Sequence, residues 1–242
     1  MEHKYIDEFA SRSPYAKVDP RVKLVALVIF LLVAAFSVSL QTSVAIAIAS
    51  IILAAWSRIP VRHLIYGLAP ATPFIAAAFV AVILTGSLAN AALLTLRVFA
   101  SVLAAVLFSS TTPILDQARA LQWFRVPGIL ISTLIFAYRF IFVFIDELER
   151  MKITRAARGF DTRKGNLLMR RTMRVIGQTI GMLLVRVNDR ATRVFDSLRG
   201  RGFSGTVRSI RPLRTTFSDA LYAILISALL LPSILLQYRL IA

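Results

Sequence analysis

Long runs of apolar residues without a charged side chain constrain this sequence most strongly. The chain has 242 residues, 57% of them hydrophobic, and its mean hydropathy is +0.73. A soluble domain averages roughly 45–50% apolar residues, and the excess here lies in runs long enough to match a lipid bilayer. Because a chain inside lipid must satisfy its own backbone hydrogen bonds, these runs predict an all-α integral membrane protein.

Five of the runs are predicted to cross the membrane, and they divide the chain into three regions. The N-terminal region, residues 1–108, holds four of the crossings. Residues 109–214 are predicted to form a cytoplasmic or interfacial domain of amphipathic helices, and residues 215–242 hold the last crossing. The predicted transmembrane helices are residues 22–40, 43–57, 66–84, 91–108 and 215–238.

Local signals predict how these helices begin, turn and bend. Asp19 before Pro20 is typical of a helix start, because Asp caps free N–H groups and Pro fits the first helical position. Residues 41–42 are predicted to form a short turn between the first two helices. Pro70 and Pro73 are predicted to kink the third helix.

Positive charge is concentrated in one part of the chain. The formal net charge is +17, and residues 146–214 alone carry 17 Lys and Arg against 6 Asp and Glu. Such an excess marks the cytoplasmic side, so the N-terminus is predicted inside the cell and the C-terminus outside. Anionic lipid headgroups are an expected secondary contact. No RNA- or DNA-binding module accompanies the charge, so no nucleic-acid partner is expected.

Residues 128–145 form the ambiguous apolar run. They are long enough to cross a membrane, but a crossing would place the basic segment outside the cell. We therefore predict a sloping helix at the inner leaflet that continues into the basic segment. Arg97 lies in the fourth predicted crossing, where an arginine can make a packing contact, make a functional contact or snorkel to the membrane surface. The sequence predicts no role for Arg139.

The basic segment contains an internal repeat with an offset of 43 residues. A Gly directly after a helix suits the left-handed position there, and an Arg in the last turn is favoured by the helix dipole. Each copy therefore predicts a helix that ends at an exposed Arg. The offset aligns Asp146 with Asp189, Arg150 with Arg193, Arg158 with Arg201, Gly159 with Gly202 and Phe160 with Phe203.

Two interpretations of the repeat are possible. An Arg at a helix tip is well suited to a bidentate bond with a carboxylate on a partner protein. The simpler interpretation is a basic helix face that contacts water or lipid headgroups. The duplication favours docking, because a solvated face has no need to repeat a terminal Arg-Gly-Phe. Residues 198–200, Leu-Arg-Gly, offer an overlapping register for the second copy.

The sequence argues against an enzyme and against a metal site within this chain. It has no cysteine and two histidines, His3 and His63, so it lacks disulfides and thiolate ligands. No HExxH motif, Ser-His-Asp set or pair of carboxylates lies in the predicted spans. A stand-alone secondary transporter would need a polar site at the membrane midplane and repeated transmembrane halves, and neither is found.

The order of several short segments resembles the transmembrane T component of energy-coupling factor (ECF) importers, in the cobalt-type branch called CbiQ. The resemblance covers nearly the whole chain. The matching segments are VDPRVK at 18–23, STTPILDQARAL from Ser110, RVPGIL at 125–130, AYRF at 137–140, ELERM with RAARGF up to Phe160, and RVNDRATRVFDSLRGRGFSG at 186–205.

The resemblance implies a non-catalytic coupling subunit in a bacterial plasma membrane. Its partners would be two ABC ATPases, which bind and hydrolyse ATP, and a substrate-binding membrane subunit. No cofactor or metal would be bound by this chain. Cobalt is the first substrate that the resemblance implies, with nickel or a vitamin such as biotin as alternatives. A basic membrane protein that binds anionic lipids is a more remote alternative.

The resemblance also implies which residues dock on the ATPases. The family's two Ala-Arg-Gly-like motifs end its coupling helices, and the second motif here has Gly in place of Ala. The implied coupling residues are Ala157, Arg158 and Gly159 in the first motif and Gly200, Arg201 and Gly202 in the second. The implied supporting residues are Glu149, Arg150, Phe160, Asp189, Arg193 and Phe203.

Overall fold

A computed structural model describes residues 18–37, 39–57, 59–86, 88–159, 170–205 and 217–241. Predictions for Phe160, for the basic linker that follows it and for the polar residues 1–17 therefore lie outside the described residues. Within these ranges every regular element is a helix. The helices are α1 Pro20–Phe36, α2 Leu40–Trp56, α3 Val61–Leu68, α4 Thr72–Thr85, α5 Leu88–Thr111, α6 Ile114–Trp123, α7 Gly128–Ala157, α8 Arg170–Gly200 and α9 Phe217–Ile241.

The chain forms two compact units. Unit 1 combines Met1–Phe124 with Ser209–Ala242, so its described helices are α1 to α6 and α9. Unit 2 is Arg125–Arg208 and holds α7 and α8. The first four predicted membrane helices and the last one thus pack in a single unit, although more than 80 residues of chain separate them.

The start of α1 confirms the predicted helix cap. Asp19 Oδ1 accepts the backbone N–H of Arg21 at 2.9 Å, and Pro20 occupies the first helical position. The predicted turn at residues 41–42 is wrong, because both residues lie inside α2. Ser39 accepts the Thr42 N–H at 3.2 Å and so begins the helix earlier.

The predicted kink near Pro70 is confirmed as a break. α3 and α4 meet at 57° with a gap at residues 69–71, and Pro73 lies in the first turn of α4. Proline cannot donate a backbone hydrogen bond, which explains the interruption. Gly67 lets α3 approach α5 closely, since an added Cβ would lie 2.6 Å from Val106 Cγ1.

Helix α5 is the centre of unit 1. It packs against α1, α2, α3 and α4, and Ala100 is completely buried. Small residues let helix backbones come close together, as is common in membrane bundles. The shared core contains Ala26, Phe30, Ala34, Ile46, Ala47, Ala49, Leu53, Ala100, Leu103, Ala104, Leu107, Ile226 and Leu230.

Arg97 of α5 binds the turn that follows α1. Its Nε donates to Ser37 Oγ at 3.2 Å, and a terminal N–H donates to the Ser37 carbonyl oxygen. Carbonyl groups at the end of a helix lack partners within it, so this contact satisfies one of them. Among the alternatives for Arg97, the structure therefore favours a packing contact. Arg139, in contrast, is exposed on α7.

Large apolar side chains cover much of the outer surface of unit 1. Phe74 is 76% exposed and Leu84 is 79% exposed, which suits lipid rather than water. By length and composition α5 and α7 could each cross a membrane, and the bent pair α3–α4 would add a third crossing. The chain is an all-α multi-pass membrane protein, while the count of five crossings stays a prediction.

Unit 2 is built on two long helices that run antiparallel. α7 has 30 residues and α8 has 31, so each is about 45 Å long. Arg155 donates to Thr179 Oγ1, Arg186 pairs with Glu147, and Phe203 packs on Phe136. Positions later in α8 thus meet positions earlier in α7. As predicted, the apolar run at 128–145 continues into the first basic helix without a break.

Candidate coupling site

The first Arg-Gly motif forms the end of α7. The helix ends at Ala157, and Arg158 is its C-cap with φ −87° and ψ 14°. Gly159 has φ +78°, and its N–H donates to the Ala156 carbonyl at 3.0 Å. This left-handed glycine closes the helix and confirms the prediction for Gly159.

The second motif ends α8 in the same way. Gly202 has φ +75°, and its N–H donates to the Arg199 carbonyl at 3.0 Å. The N–H of Phe203 donates to the Leu198 carbonyl, also at 3.0 Å. These two bonds define a Schellman motif, in which a left-handed glycine reverses the chain. The prediction for Gly202 is confirmed.

The two caps fix which residues correspond. Arg158 and Arg201 each lie one position before a left-handed glycine, whereas Gly200 still belongs to the helix and does not have a positive φ. The overlapping register at residues 198–200 therefore does not match the first motif. The structural equivalence of Arg158 and Arg201 supports the 43-residue alignment, while their docking role stays a prediction.

Both tip arginines are exposed. The side chains of Arg158 and Arg201 make no hydrogen bond or ion pair among the described residues, and the neighbouring Ala157 and Gly200 are also exposed. A guanidinium on a helix end that has no partner among the described residues is available for a bidentate bond with a carboxylate of another protein.

Four of the supporting residues, Glu149, Arg150, Asp189 and Arg193, lie away from the tips. Asp189 and Arg193 face a cleft of about 220 Å³ between α7 and α8, which also contains the Glu147–Arg186 ion pair. Arg193 is eight residues from Arg201, about 12 Å along the helix. Glu149 and Arg150 are exposed on α7. These side chains therefore belong to the middle of the helix pair rather than to its tips.

Sequence reasoning missed two residues of α7, Phe136 and Ser132, that contact the chain at the second tip. The Phe203 ring packs edge-on against Phe136, with 5.9 Å between ring centroids and 78° between their planes. Ser132 Oγ lies 3.0 Å from the Gly205 carbonyl oxygen, which accepts its hydrogen bond. The contact joins positions 73 residues apart, so no local spacing could have predicted it. It binds the chain after α8 to the first half of α7.

The antiparallel arrangement separates the two tips. Arg158 ends α7, whereas the second tip is held beside Phe136 of the same helix. At 1.5 Å per residue, the stretch of α7 from Phe136 to Arg158 is about 33 Å long. The structure therefore presents two similar tips near opposite ends of one helix.

Within the described ranges, no group of three or more His, Asp or Glu side chains could hold a metal ion. The cleft between α7 and α8 is lined by three arginines and two acidic residues, a set that would repel rather than bind a cation. Among the described residues, the exposed tips of unit 2 therefore remain the candidate site.

Comparison with known proteins connects this geometry with a family. A family model described as CbiQ, cobalt transport protein, matches residues 11–213. The cobalt transport protein CbiQ of Rhodobacter capsulatus is 33% identical over 150 residues, which cover 61% of this chain and 59% of that relative. The aligned part is thus less than two thirds of the Rhodobacter protein.

Two archaeal proteins are also similar to the chain. The uncharacterized protein MJ1571 of Methanocaldococcus jannaschii is 26% identical over 264 aligned positions, covering 95% of this chain and 89% of the relative. The uncharacterized protein MJ1089 of the same organism is 22% identical over 117 residues. The family match spans both Arg-Gly motifs and confirms the resemblance inferred from the short segments. This chain belongs to the CbiQ family of cobalt transport proteins.

Proposed function

We propose that this chain is the transmembrane coupling subunit of an ECF-type ABC importer, and that it transmits ATPase motion to a substrate-binding membrane subunit. One observation carries the proposal. Two exposed arginines, Arg158 and Arg201, have the same helix-cap geometry and stand near opposite ends of α7. Two equivalent docking points suit a pair of equivalent ATPase subunits.

The tips would act through charge and rigidity. Each arginine would bind a carboxylate in a groove of one ATPase, and a charge-assisted bidentate bond also fixes orientation. When ATP closes the ATPase pair, the tips would move with it. Because α7 and α8 are unbroken helices joined by side-chain contacts, a displacement at a tip would move the helix pair as a body.

The packing of unit 1 supports the proposed orientation in the membrane. Lys23 of α1 donates to the Thr111 carbonyl at the end of α5, and the Asp19 N–H donates to Asp219 in the first turn of α9. The chain therefore leaves and re-enters this bundle at the same end. With that end in the cytoplasm, the basic segment lies inside the cell and α7 does not cross, in agreement with the positive-inside rule.

Cobalt is the proposed cargo of the complex. The support is the family description and the printed name of the Rhodobacter relative. Nickel or a vitamin such as biotin stays an alternative. ATP would be bound by the partner ATPases and the cargo by the substrate-binding subunit, so this chain would act without a catalytic residue or cofactor in a bacterial plasma membrane.

A tagged purification from native membranes in mild detergent tests the proposal. We expect two ABC ATPase copies and a small membrane subunit to accompany the chain. The double variant Arg158→Glu with Arg201→Glu should lose the ATPases and keep the membrane subunit. Lys152→Glu with Arg190→Glu is the matched control, because it makes the same charge change at exposed positions away from both caps. If the tip variant retains its ATPases, the tips are not the docking points.

A milder change separates docking from general basic attraction. Arg158→Lys with Arg201→Lys keeps both charges but removes the bidentate geometry. Docking predicts that ATPase retention falls while binding to anionic vesicles is unchanged. A lipid-binding function predicts no change in either measurement.

A further inference from the structure

Unit 1 contains a buried group of charges that the tips do not explain. Lys23 is 4% exposed, and Asp19 and Asp219 are each 5% exposed. They lie where the start of α1, the end of α5 and the start of α9 meet. We call these three residues the buried charge cluster.

The cluster joins three helices by direct bonds. Lys23 Nζ donates to the Thr111 carbonyl of α5 at 3.1 Å, 88 positions away. The Asp19 N–H donates to Asp219 Oδ1 of α9 at 2.6 Å, 200 positions away. The carboxylates of Asp116, Asp219 and Asp19 also lie near enough to act on the Lys23 charge. Asp116 belongs to α6, so a fourth helix adds to the negative charge around Lys23.

Stability alone is a poor reason for such a cluster. Lys23 lines a cavity of about 40 Å³ together with mostly apolar side chains, among them Phe30, Leu53 and Ile226. Removing charges from water is costly, and well-packed apolar residues often stabilise a core as well or better. Asp19 Oδ2 is buried and has no hydrogen-bond partner among the described residues, which adds to the cost. The directional bonds of the cluster, however, specify one arrangement of the helices.

The position of the cluster suggests its use. The chain leaves unit 1 after α6 and returns to it before α9. The cluster bonds the last residue of α5, which leads into α6, and the first turn of α9. The helix that precedes α6 and the helix that follows the intervening segment are thus both bonded to α1 at one place.

We propose that the buried charge cluster of Lys23, Asp19 and Asp219 clamps α1, α5 and α9, so that a displacement of the intervening segment moves the membrane bundle as one body. This inference rests on the proposed coupling function. Lys23 is a positioning residue in this account, since it touches neither cargo nor ATPase. Without the clamp, ATP would be hydrolysed but the motion would be lost between the helices.

The test compares uptake with hydrolysis in the assembled complex. Lys23→Met should keep the co-purified ATPases and their rate of ATP hydrolysis, while cobalt uptake per assembled complex falls about tenfold, within the usual range of a coupling free energy. Lys152→Met is the control, because Lys152 is exposed and makes no hydrogen bond or ion pair with a described residue. It should leave both rates unchanged.

A second variant separates positioning from stability. Lys23→Met with Asp219→Asn removes one charge of each sign and keeps the Asn oxygen as acceptor for the Asp19 N–H. It should recover the thermal stability lost by Lys23→Met, but uptake per complex should stay low. Recovery of uptake together with stability would overturn the proposal, as would a parallel loss of uptake and hydrolysis in Lys23→Met. If the wild-type chain itself brings no ATPase, the proposed function fails first, and the clamp fails with it.

Discussion

The two Arg-Gly tips have the same cap but different surroundings. In both, a left-handed glycine ends the helix and leaves the preceding arginine exposed. The first tip is held before its end, where Arg155 donates to Thr179 of α8. The second is held after its end, where Phe203 packs on Phe136.

This difference shows which features are local and which are not. The cap depends on one glycine and the carbonyl groups of its own helix, so the same short motif produces it twice. Among the residues that the structure describes, the anchoring contacts come from the opposite helix and differ between the tips. The shared cap should therefore govern docking at both tips, whereas each anchor should affect its own tip alone.

The largest effect is expected from reversing one tip charge at a time. Arg158→Glu and Arg201→Glu should each weaken ATPase association by about 100-fold or more, because a complex held at two points loses its avidity when one is removed. The measurement is the fraction of ATPase retained over a dilution series in detergent. Arg190→Glu serves as control. A loss at one tip only would break the equivalence of the two motifs.

A smaller effect should distinguish the glycines of the second motif. Gly202→Ala places a side chain at φ +75° and should destabilise unit 2 by roughly 1–2 kcal/mol. Gly200→Ala should instead stabilise it by roughly 0.5–1 kcal/mol, because Gly200 is helical and an added Cβ meets no atom within 4 Å. Denaturant unfolding in mild detergent measures both. If Gly200→Ala proved more destabilising than Gly202→Ala, residues 198–200 would be the equivalent of the first motif.

The smallest effect concerns the aromatic anchor of the second tip. A double-mutant cycle of Phe136→Ala and Phe203→Ala should give a coupling energy of about 1 kcal/mol in unfolding measurements. Ile153→Ala is a matched control on α7, since Ile153 is 65% exposed. A coupling near zero would show that Phe203 is not anchored, and the proposed difference between the tips would disappear.

The sequence predicted features that depend on neighbouring residues. The conformational limits of single residue types explain three confirmed predictions. These are the helix start at Asp19 and Pro20, the break at Pro70, and the left-handed glycines at 159 and 202. The turn predicted at residues 41–42 is wrong because it was placed from the apolar pattern alone. That pattern indicates which residues are apolar, but it does not show the residue at which a helix begins. Ser39 decides that boundary.

Contacts between distant residues could not be predicted in this way. Arg97 reaches Ser37 across 60 positions, and Ser132 reaches Gly205 across 73. From the sequence alone, many residues are possible hydrogen-bond partners for each of these side chains. Only the packing of the helices decides which one is used. The sequence therefore indicated the tips of the candidate site, whereas the anchors behind them required the structure.

Site-specific cross-linking tests the central claim most directly. The chain has no cysteine, so Ala157→Cys and Gly200→Cys would each carry a single photoreactive label beside one tip arginine. Tyr66→Cys, at a position 64% exposed on α3, is the control. After labelling, mixing with the ATPases and illumination, we predict an ATPase adduct from positions 157 and 200 and none from position 66. Tips that give no more ATPase adduct than position 66 would contradict the account.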